Sequence, residues 1–465
     1  MSAKVSLPPA GSKRVTEIIP FRGLRYNQQV VPDLSAVVSP PYDIIGPRAQ
    51  LHFHEKHPDN AIHLDFGLAF PGDGDSENRY TRAAALLQQW LAGDILRPEP
   101  RPAIYFLREE YQTPGGAQAV REGFICAVRL ADFSEGRILP HEQTAPGPKE
   151  DRLRLIEATE ANLSPIFLLY SDPENAVARQ AAESGGTPAL SLTDEAGTRH
   201  TLWVLDEPEE AEALSDALSR GTLLIADGHH RYETMLAYRD QRRAAEAGSD
   251  RSGSEHPGGS RPYDFTMAYL ANMDSDSRSV LPIHRFVSRL SAATVGGVAE
   301  LLGEHFEVLD VPGAGQARQQ QMIEMMAAHG RERNAFGMYL PASDDFRVLA
   351  ARRPRPLLAA DDDPHSAAYR SLDVTVLDRI ILAGALGIRP GGANADARIR
   401  FVERTEAAFR QIDAGEAGAQ IAIFVNPTSM EEIRDVAEAG EKMPRKSTYF
   451  YPKPLTGLVF RSLKF

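Results

Sequence analysis

A chain of 465 residues, 42% hydrophobic and 25% charged, is too long for one ordinary core and reads as a globular protein of two or three domains. Its net charge of −13 argues against wholesale nucleic-acid binding, which depends on neutralising phosphates with lysine and arginine. No apolar run reaches the roughly 18 residues of a membrane span. The opening "MSAKVSLPPAGSKRV" lacks a secretory h-region, and the single cysteine, Cys126, excludes an internal disulfide, so the expected compartment is the cytoplasm.

In chain order, "PFRGLRYNQQVVPDLSAVVSPPYDII" predicts extended pieces and turns, with Asp33 and Asp43 as turn residues. Apolar residues at three- and four-residue spacing predict a helix over 77–92. "PAIYFLREEYQ" and "REGFICAVRLADF" read as a hairpin that buries Cys126. A polar loop follows, then a charged helix whose Lys149, Asp151 and Arg152 serve either a phosphotransfer site or the helix surface, and a buried strand ending at Tyr170. Residues 171–220 read as a strand pair and a Glu/Ala-rich helix, and "TLLIADGHHRYETMLAYRD" as a buried strand running into a helix. Residues 244–262, rich in Gly and Ser, read as a mobile surface loop or lid before the strand "YDFTMAYLANM". "VLPIHRFV" is a further strand-turn, and beyond residue 291 helices alternate with strands. The expected class is α+β, mixed α/β, with one domain over 1–290 and a C-terminal α/β region over 291–465.

Chemistry concentrates where the strand meets the helix, at "ADGHHRY". A helix N-terminus leaves N–H groups unpaired and carries the positive end of the helix dipole. Gly228 permits a tight turn and a close approach by ligand; His229, His230 and Arg231 add donors, and a guanidinium can clasp two phosphate oxygens. Asp227, at the strand end, suits Mg²⁺ binding or the orientation of an attacking hydroxyl. The plain alternative is a helix cap with Asp227 as N-cap, but three cations in one first turn oppose the dipole. A zinc site lacks its usual spacing, because adjacent histidines point in different directions.

The stretch "LLIADGHHRYETM" resembles the phosphate-binding motif of the ParB/sulfiredoxin superfamily. In sulfiredoxin a reactive cysteine stands before the His-Arg pair; His229 holds that place here, which excludes the redox chemistry. No helix-turn-helix of the ParB kind follows. Within the superfamily the free serine kinases are the most similar, since their Asp-Gly-His-His-Arg-aromatic motif matches residues 227–232 throughout. Those kinases also carry an upstream His-Glu-Gln, which "LPHEQTAPG" matches with His141, Glu142 and Gln143, followed by Thr144. The resemblance implies a ParB/sulfiredoxin-like nucleotide-binding domain with insertions, and Glu142 and Asp227 as catalytic residues. It further implies nucleotide phosphates on Gly228, His229, His230 and Arg231, with Mg²⁺ and with ATP or ADP as phosphoryl donor. Over almost its full length ("PFRGLRYN", "SPPYDII", "HEQT", "DRLRLIEATEANLSPIFLLY", "ADGHHRYET", "MPRKSTYFYPK") the chain also resembles a widespread bacterial family of unknown function.

Further contacts to substrate or phosphate are expected from His284 and Arg285 in "LPIHR" and from Lys446, Ser447 and Thr448 in the basic segment "KMPRKSTYFYPK". Residues 441–454 would then close the site. Asn162 and Ser164 in "NLSPIF" offer polar groups that serve either a substrate or the incoming strand. The implied activity is phosphoryl transfer to the hydroxyl of free L-serine or a related metabolite, with no nucleic-acid or membrane partner. The rivals are a ParB-like nucleotide-binding switch or scaffold without turnover, and a phosphatase acting on a phosphorylated metabolite.

Overall fold

The computed structural model describes residues 15–142, 146–184, 186–248, 259–275, 279–361, 363–392, 395 and 397–464. They divide into two units: a larger one with residues 15–140, 146–275 and 452–464, and a smaller one with His141, Glu142 and Ser279–Tyr451. Both are mixed α/β.

The larger unit is built on a nine-stranded sheet. Its strands are β1 (Ile18–Ile19), β2 (Ile104–Gln112), β3 (Gln118–Arg129), β4 (Ile138–Pro140), β5 (Ile166–Tyr170), β6 (Leu190–Thr193), β7 (Arg199–Leu205), β8 (Leu223–Asp227) and β9 (Phe265–Asn272). They lie in the order β4-β8-β5-β9-β3-β2-β7-β6, with β1 added on β3. The expected hairpin is β2–β3, in register from Tyr105 opposite Ile125 to Gln112 opposite Gln118. Cys126 is fully buried on it, and burial pushes its thiol well above the ordinary value. Central β5, β8 and β9 read as apolar runs because both their faces are covered, as expected for strands between layers.

Three helices matter to the site: α1 (Arg79–Ala92), α2 (Pro146–Thr159) and α3 (His229–Gly248). Asn78 caps α1 through its side chain, accepting from the amides of Tyr80 and Thr81. Helix α3 runs through residues 244–248, so the predicted loop begins later than its composition suggested. Alanine and glutamate there favour helix over the polar pattern of the whole segment. Residues 249–258 of that loop lie outside the described residues. A further helix, Ala176–Ser184, carries no strong sequence signal of its own.

A four-stranded sheet closes the larger unit. The C-terminal strand Phe460–Ser462 pairs with both Gly23–Tyr26 and Ala161–Asn162, which anchors residues 452–464 in this unit. The smaller unit carries a six-stranded antiparallel sheet of β10 (Ile283–Val287), β11 (Phe306–Asp310), β12 (Ala335–Leu340), β13 (Asp345–Ala351), β14 (Ile399–Glu403) and β15 (Ile421–Val425). Its order is β11-β13-β12-β15-β10-β14. Phe286, Met322 and Phe424 are among its fully buried core residues, each contributing about 1.5–3 kcal/mol by leaving water. A separate ribbon pairs Ser279–Leu281 with Tyr449–Tyr451.

Candidate active site

The end of β8 is bent before the chain turns. Register between β8 and β5 slips between Ile225 and Asp227, a bulge that re-aims the last residue of the strand. Gly228 then takes φ +88°, and a Cβ there would stand 3.0 Å from Arg231 Nε and 3.1 Å from its Cζ. The positive φ favours glycine there, and any side chain would also crowd the Arg231 guanidinium. Helix α3 begins at His229, and its first i to i−4 bond runs from the Tyr232 amide to the Gly228 carbonyl at 2.9 Å. Tyr232 is wholly buried; its hydroxyl donates to the Ala131 carbonyl at 2.7 Å and accepts from the Ala131 amide at 2.9 Å. The start of the helix is thus pinned beside the sheet.

The cations of this turn face inward. Arg231 is 8% exposed and donates to Asp227 Oδ2 at 2.6 Å and to the Pro165 carbonyl at 2.5 Å. Lys453, from the C-terminal segment, binds Asp227 Oδ1 at 2.6 Å and also pairs with Asp43. Burial works to lower the pKa of both cations, but Asp227 and Asp43 outweigh it and raise them above their ordinary values. Arg152 is buried rather than on the helix surface. It pairs with Asp65 at 3.2 Å and with Asp151 at 2.6 Å, and its guanidinium lies 4.0 Å from the centre of the Tyr42 ring. Asp151 also accepts from Arg79 at 2.5 Å and from the Tyr80 hydroxyl at 2.7 Å. Burial raises the pKa of Asp65 against the pull of Arg152 and Arg231. Four cations, Arg79, Arg152, Arg231 and Lys453, and four carboxylates, Asp43, Asp65, Asp151 and Asp227, cluster in a largely buried setting, where losing one partner costs far more than it would in water.

Sequence reasoning missed Asp65, an acid inside the apolar "AIHLDFG", and gave Asp43 only a turn role. Asp43 does sit in the short turn Tyr42–Ile44, and from there it meets Lys453. An acid flanked by apolar residues was the available signal. His229 is buried and His230 partly so. Asn162 supports the fold, accepting from the Met267 amide at 2.9 Å. Ser164 lines a small cavity beside Arg152 and Arg231.

In the smaller unit, parts of the two motifs singled out at residues 141–144 and 442–453 come together: His141 and Glu142 from one and residues 443–448 from the other. His141 is fully buried; its ring Nε2 lies 2.9 Å from Thr448 Oγ1, and its carbonyl accepts from the Met443 amide at 2.7 Å. Glu142 Oε1 accepts from the Lys446 amide at 2.9 Å. Lys446 reaches that position with φ +61°, a left-handed conformation that costs a side-chain-bearing residue about 1–2 kcal/mol. Ser447 Oγ donates to the Pro444 carbonyl at 2.5 Å, and Arg285 Nη2 donates to the Lys446 carbonyl at 3.0 Å. The strained turn thus holds an amide on the carboxylate of Glu142, a pattern found where local strain serves a site. Gln143 and Thr144 lie outside the described residues.

His284 is turned away from any solute. Its Nδ1 accepts from the Val425 amide at 3.2 Å, which leaves the proton on Nε2, 3.0 Å from Thr405 Oγ1. Burial, then Arg285, pushes its pKa down to about 3. His284, a possible substrate or phosphate contact by its sequence, thus has both ring nitrogens within reach of partners inside the fold.

Magnesium finds little at Asp227 as the residues stand, since one carboxylate oxygen meets Lys453 and the other Arg231. Among the described residues no group of three or more His, Cys, Asp or Glu could hold a metal ion. No helix among them is long and apolar enough to cross a membrane.

No curated protein matches the chain. Among solved structures, a free serine kinase variant in complex with ADP is 13% identical over 68% of this chain and 84% of its own, at a TM-score of 0.33. Free serine kinase in complex with AMP gives 15% identity, the same coverages and a TM-score of 0.32. A conserved hypothetical protein from Pyrococcus furiosus gives 13% identity over 71% of this chain and 93% of its own, at 0.33. Likenesses of that strength fix neither the fold nor an activity for this chain. Sequence similarity is decisive on another point: residues 18–375 match the family of proteins of unknown function DUF1015, and the chain belongs to that family.

Proposed function

We propose that this chain is a phosphotransferase that moves the terminal phosphoryl group of ATP or ADP to the hydroxyl of a small metabolite, free L-serine first among them. One observation carries the reading: a bulged strand, a glycine in the left-handed region, and a helix N-terminus with Arg231 and Lys453 held on Asp227. Amides at the positive end of a helix, with a guanidinium and an ammonium already ordered nearby, suit a phosphate group. In this reading residues 228–231 receive the phosphates, which take over Arg231 and Lys453 from Asp227. Asp227, released, orients the acceptor hydroxyl. Glu142 removes its proton as the new oxygen–phosphorus bond forms, and the bond to the bridging oxygen breaks to leave the shortened nucleotide. Positioning and charge stabilisation supply most of the acceleration in such a transfer. Magnesium would accompany the nucleotide, and no step is assigned to it.

The balanced charge of the Asp227 cluster also favours a second reading. Phosphate binding would exchange ion partners inside the larger unit, which suits a nucleotide-binding switch without turnover. One experiment separates the two. Protein is incubated with serine, Mg²⁺ and either nucleotide, and O-phosphoserine is sought; a panel of other hydroxyl acceptors follows. Product with either nucleotide supports the kinase. Saturable nucleotide binding with no product across the panel leaves the switch.

A further inference from the structure

The smaller unit contains a cavity of about 560 Å³ whose lining includes Arg285, Arg379, Arg389 and Arg445 but, among the described residues, one carboxylate, Asp378. Arg285 is buried on strand β10, with its guanidinium donating to the carbonyls of Ile283 and Lys446 and stacked 5.1 Å from the Phe401 ring. Arg379 pairs with Asp363 at 3.0 Å. Arg389 and Arg445, at the rim, meet no carboxylate within 4.0 Å among the described residues. Thr375, which also lines the cavity, is 1% exposed, and its Oγ1 has no hydrogen-bond partner among the described residues. A buried hydroxyl without a partner is costly, so an unfilled one beside surplus cations points to a ligand. The wall bearing Asp378 and Arg379 is a π-helical stretch, Leu377–Ala385, a wide and uncommon winding that recurs at functional sites.

We propose that this cavity binds a small organic anion carrying at least two negative charges, as phosphate or carboxylate groups. Arg389 and Arg445 would grip one anionic group at the rim. Thr375 and Arg285 would meet the body deeper in, with Phe401 and Leu382 supplying apolar walls. Guanidinium groups match planar carboxylates and phosphates through paired hydrogen bonds, which gives geometry as well as charge. The site lies wholly within the smaller unit and does not rest on the phosphotransfer reading.

Calorimetric titration of the full chain with pyrophosphate and with citrate, at physiological ionic strength, tests it. The expected result is saturable one-to-one binding of at least one probe. Arg389→Ala combined with Arg445→Ala should weaken that binding on the order of tenfold or more, from the loss of two charge-assisted contacts. Replacing both by lysine should restore part of it, and Arg231→Lys should leave it unchanged. Because Arg389 and Arg445 are exposed, their replacement leaves the fold intact for the measurement. No saturable binding of either probe overturns the proposal. So does binding that survives the double alanine variant but falls with Arg231→Lys.

Discussion

Two arginine-rich regions of this protein spend their charge in opposite ways. Around Asp227, the cations Arg152, Arg231 and Lys453 each meet carboxylates, and both oxygens of Asp227 are engaged. Around the cavity of the smaller unit, four arginines face one described lining carboxylate, and Arg285, Arg389 and Arg445 make no ion pair within 4.0 Å among the described residues. Position explains the difference. The cations around Asp227 are desolvated and offset that by direct ion pairs, whereas Arg389 and Arg445 at the rim keep their water and can wait for a ligand, and buried Arg285 rests on the carbonyls of Ile283 and Lys446. The first arrangement gives order and yields to a phosphate only by exchange of partners. The second gives ready access with less preorganisation.

The strongest way to test this contrast is to remove a charge from each region. Asp227→Ala strands Arg231 and Lys453 in a buried setting and should destabilise the larger unit by about 3 kcal/mol, the lower end for a broken buried pair, since Asp43 and the Pro165 carbonyl remain. Both tryptophans, Trp90 and Trp203, lie in that unit, so tryptophan fluorescence during urea unfolding reads it directly. Arg389→Ala or Arg445→Ala should change stability by no more than about 0.5 kcal/mol. Equal losses in the two regions would break the comparison. Next in size is turnover: if Asp227 hands its cations to a nucleotide, Arg231→Lys should cost roughly 10²–10³ in the rate of phosphoserine formation. That loss should show in kcat, while the unfolding midpoint of the same variant reads the separate cost of the guanidinium contacts to Asp227 and Pro165.

Much of this was legible in the sequence, and the boundary is instructive. The strand–glycine–helix turn was visible in "IADGHHRY" because φ at Gly228, the apolar run before it and the helical spacing after it are local properties. The direction of Arg231 was not. Whether a guanidinium turns outward to an anion or back to Asp227 is decided by Lys453, 222 residues further on, and by the Pro165 carbonyl. The same holds for Glu142: its loop could be singled out, but the Lys446 amide that holds its carboxylate comes from a turn 304 residues away. Of the arginine cavity only Arg285 and the basic segment holding Arg445 stood out in the sequence; that they meet Arg379 and Arg389 did not, since the lining is scattered between 285 and 445.

The pH dependence of the cavity sharpens the contrast further. Asp378 faces Arg285 and Arg379, and burial raises its pKa from the ordinary 3.8 to about 6. The folded state therefore holds this proton more tightly than the unfolded one, and the group works against stability as pH rises through that interval. For an anion the sign is the same: below about pH 6 Asp378 is neutral and no longer repels it. Binding of methanedisulfonate, whose own charge stays fixed, should strengthen severalfold as pH falls from 7 to 5. Asp378→Asn should flatten that slope.

The smallest expected effect concerns Lys446, and it separates strain held for function from strain merely tolerated. Its φ of +61° disfavours any residue with a Cβ, so Lys446→Gly relieves that cost while giving up some unfolded-state restriction. The net gain should be about 1 kcal/mol or less, read from thermal or urea unfolding of the full chain. The backbone amide that reaches Glu142 is retained in glycine, so its hydrogen bond to the carboxylate should persist. If only that amide matters, the variant is more stable and equally active. A variant that is more stable but slower would place the Lys446 side chain itself in the reaction, and would explain why the chain keeps a strained lysine where glycine would fold better.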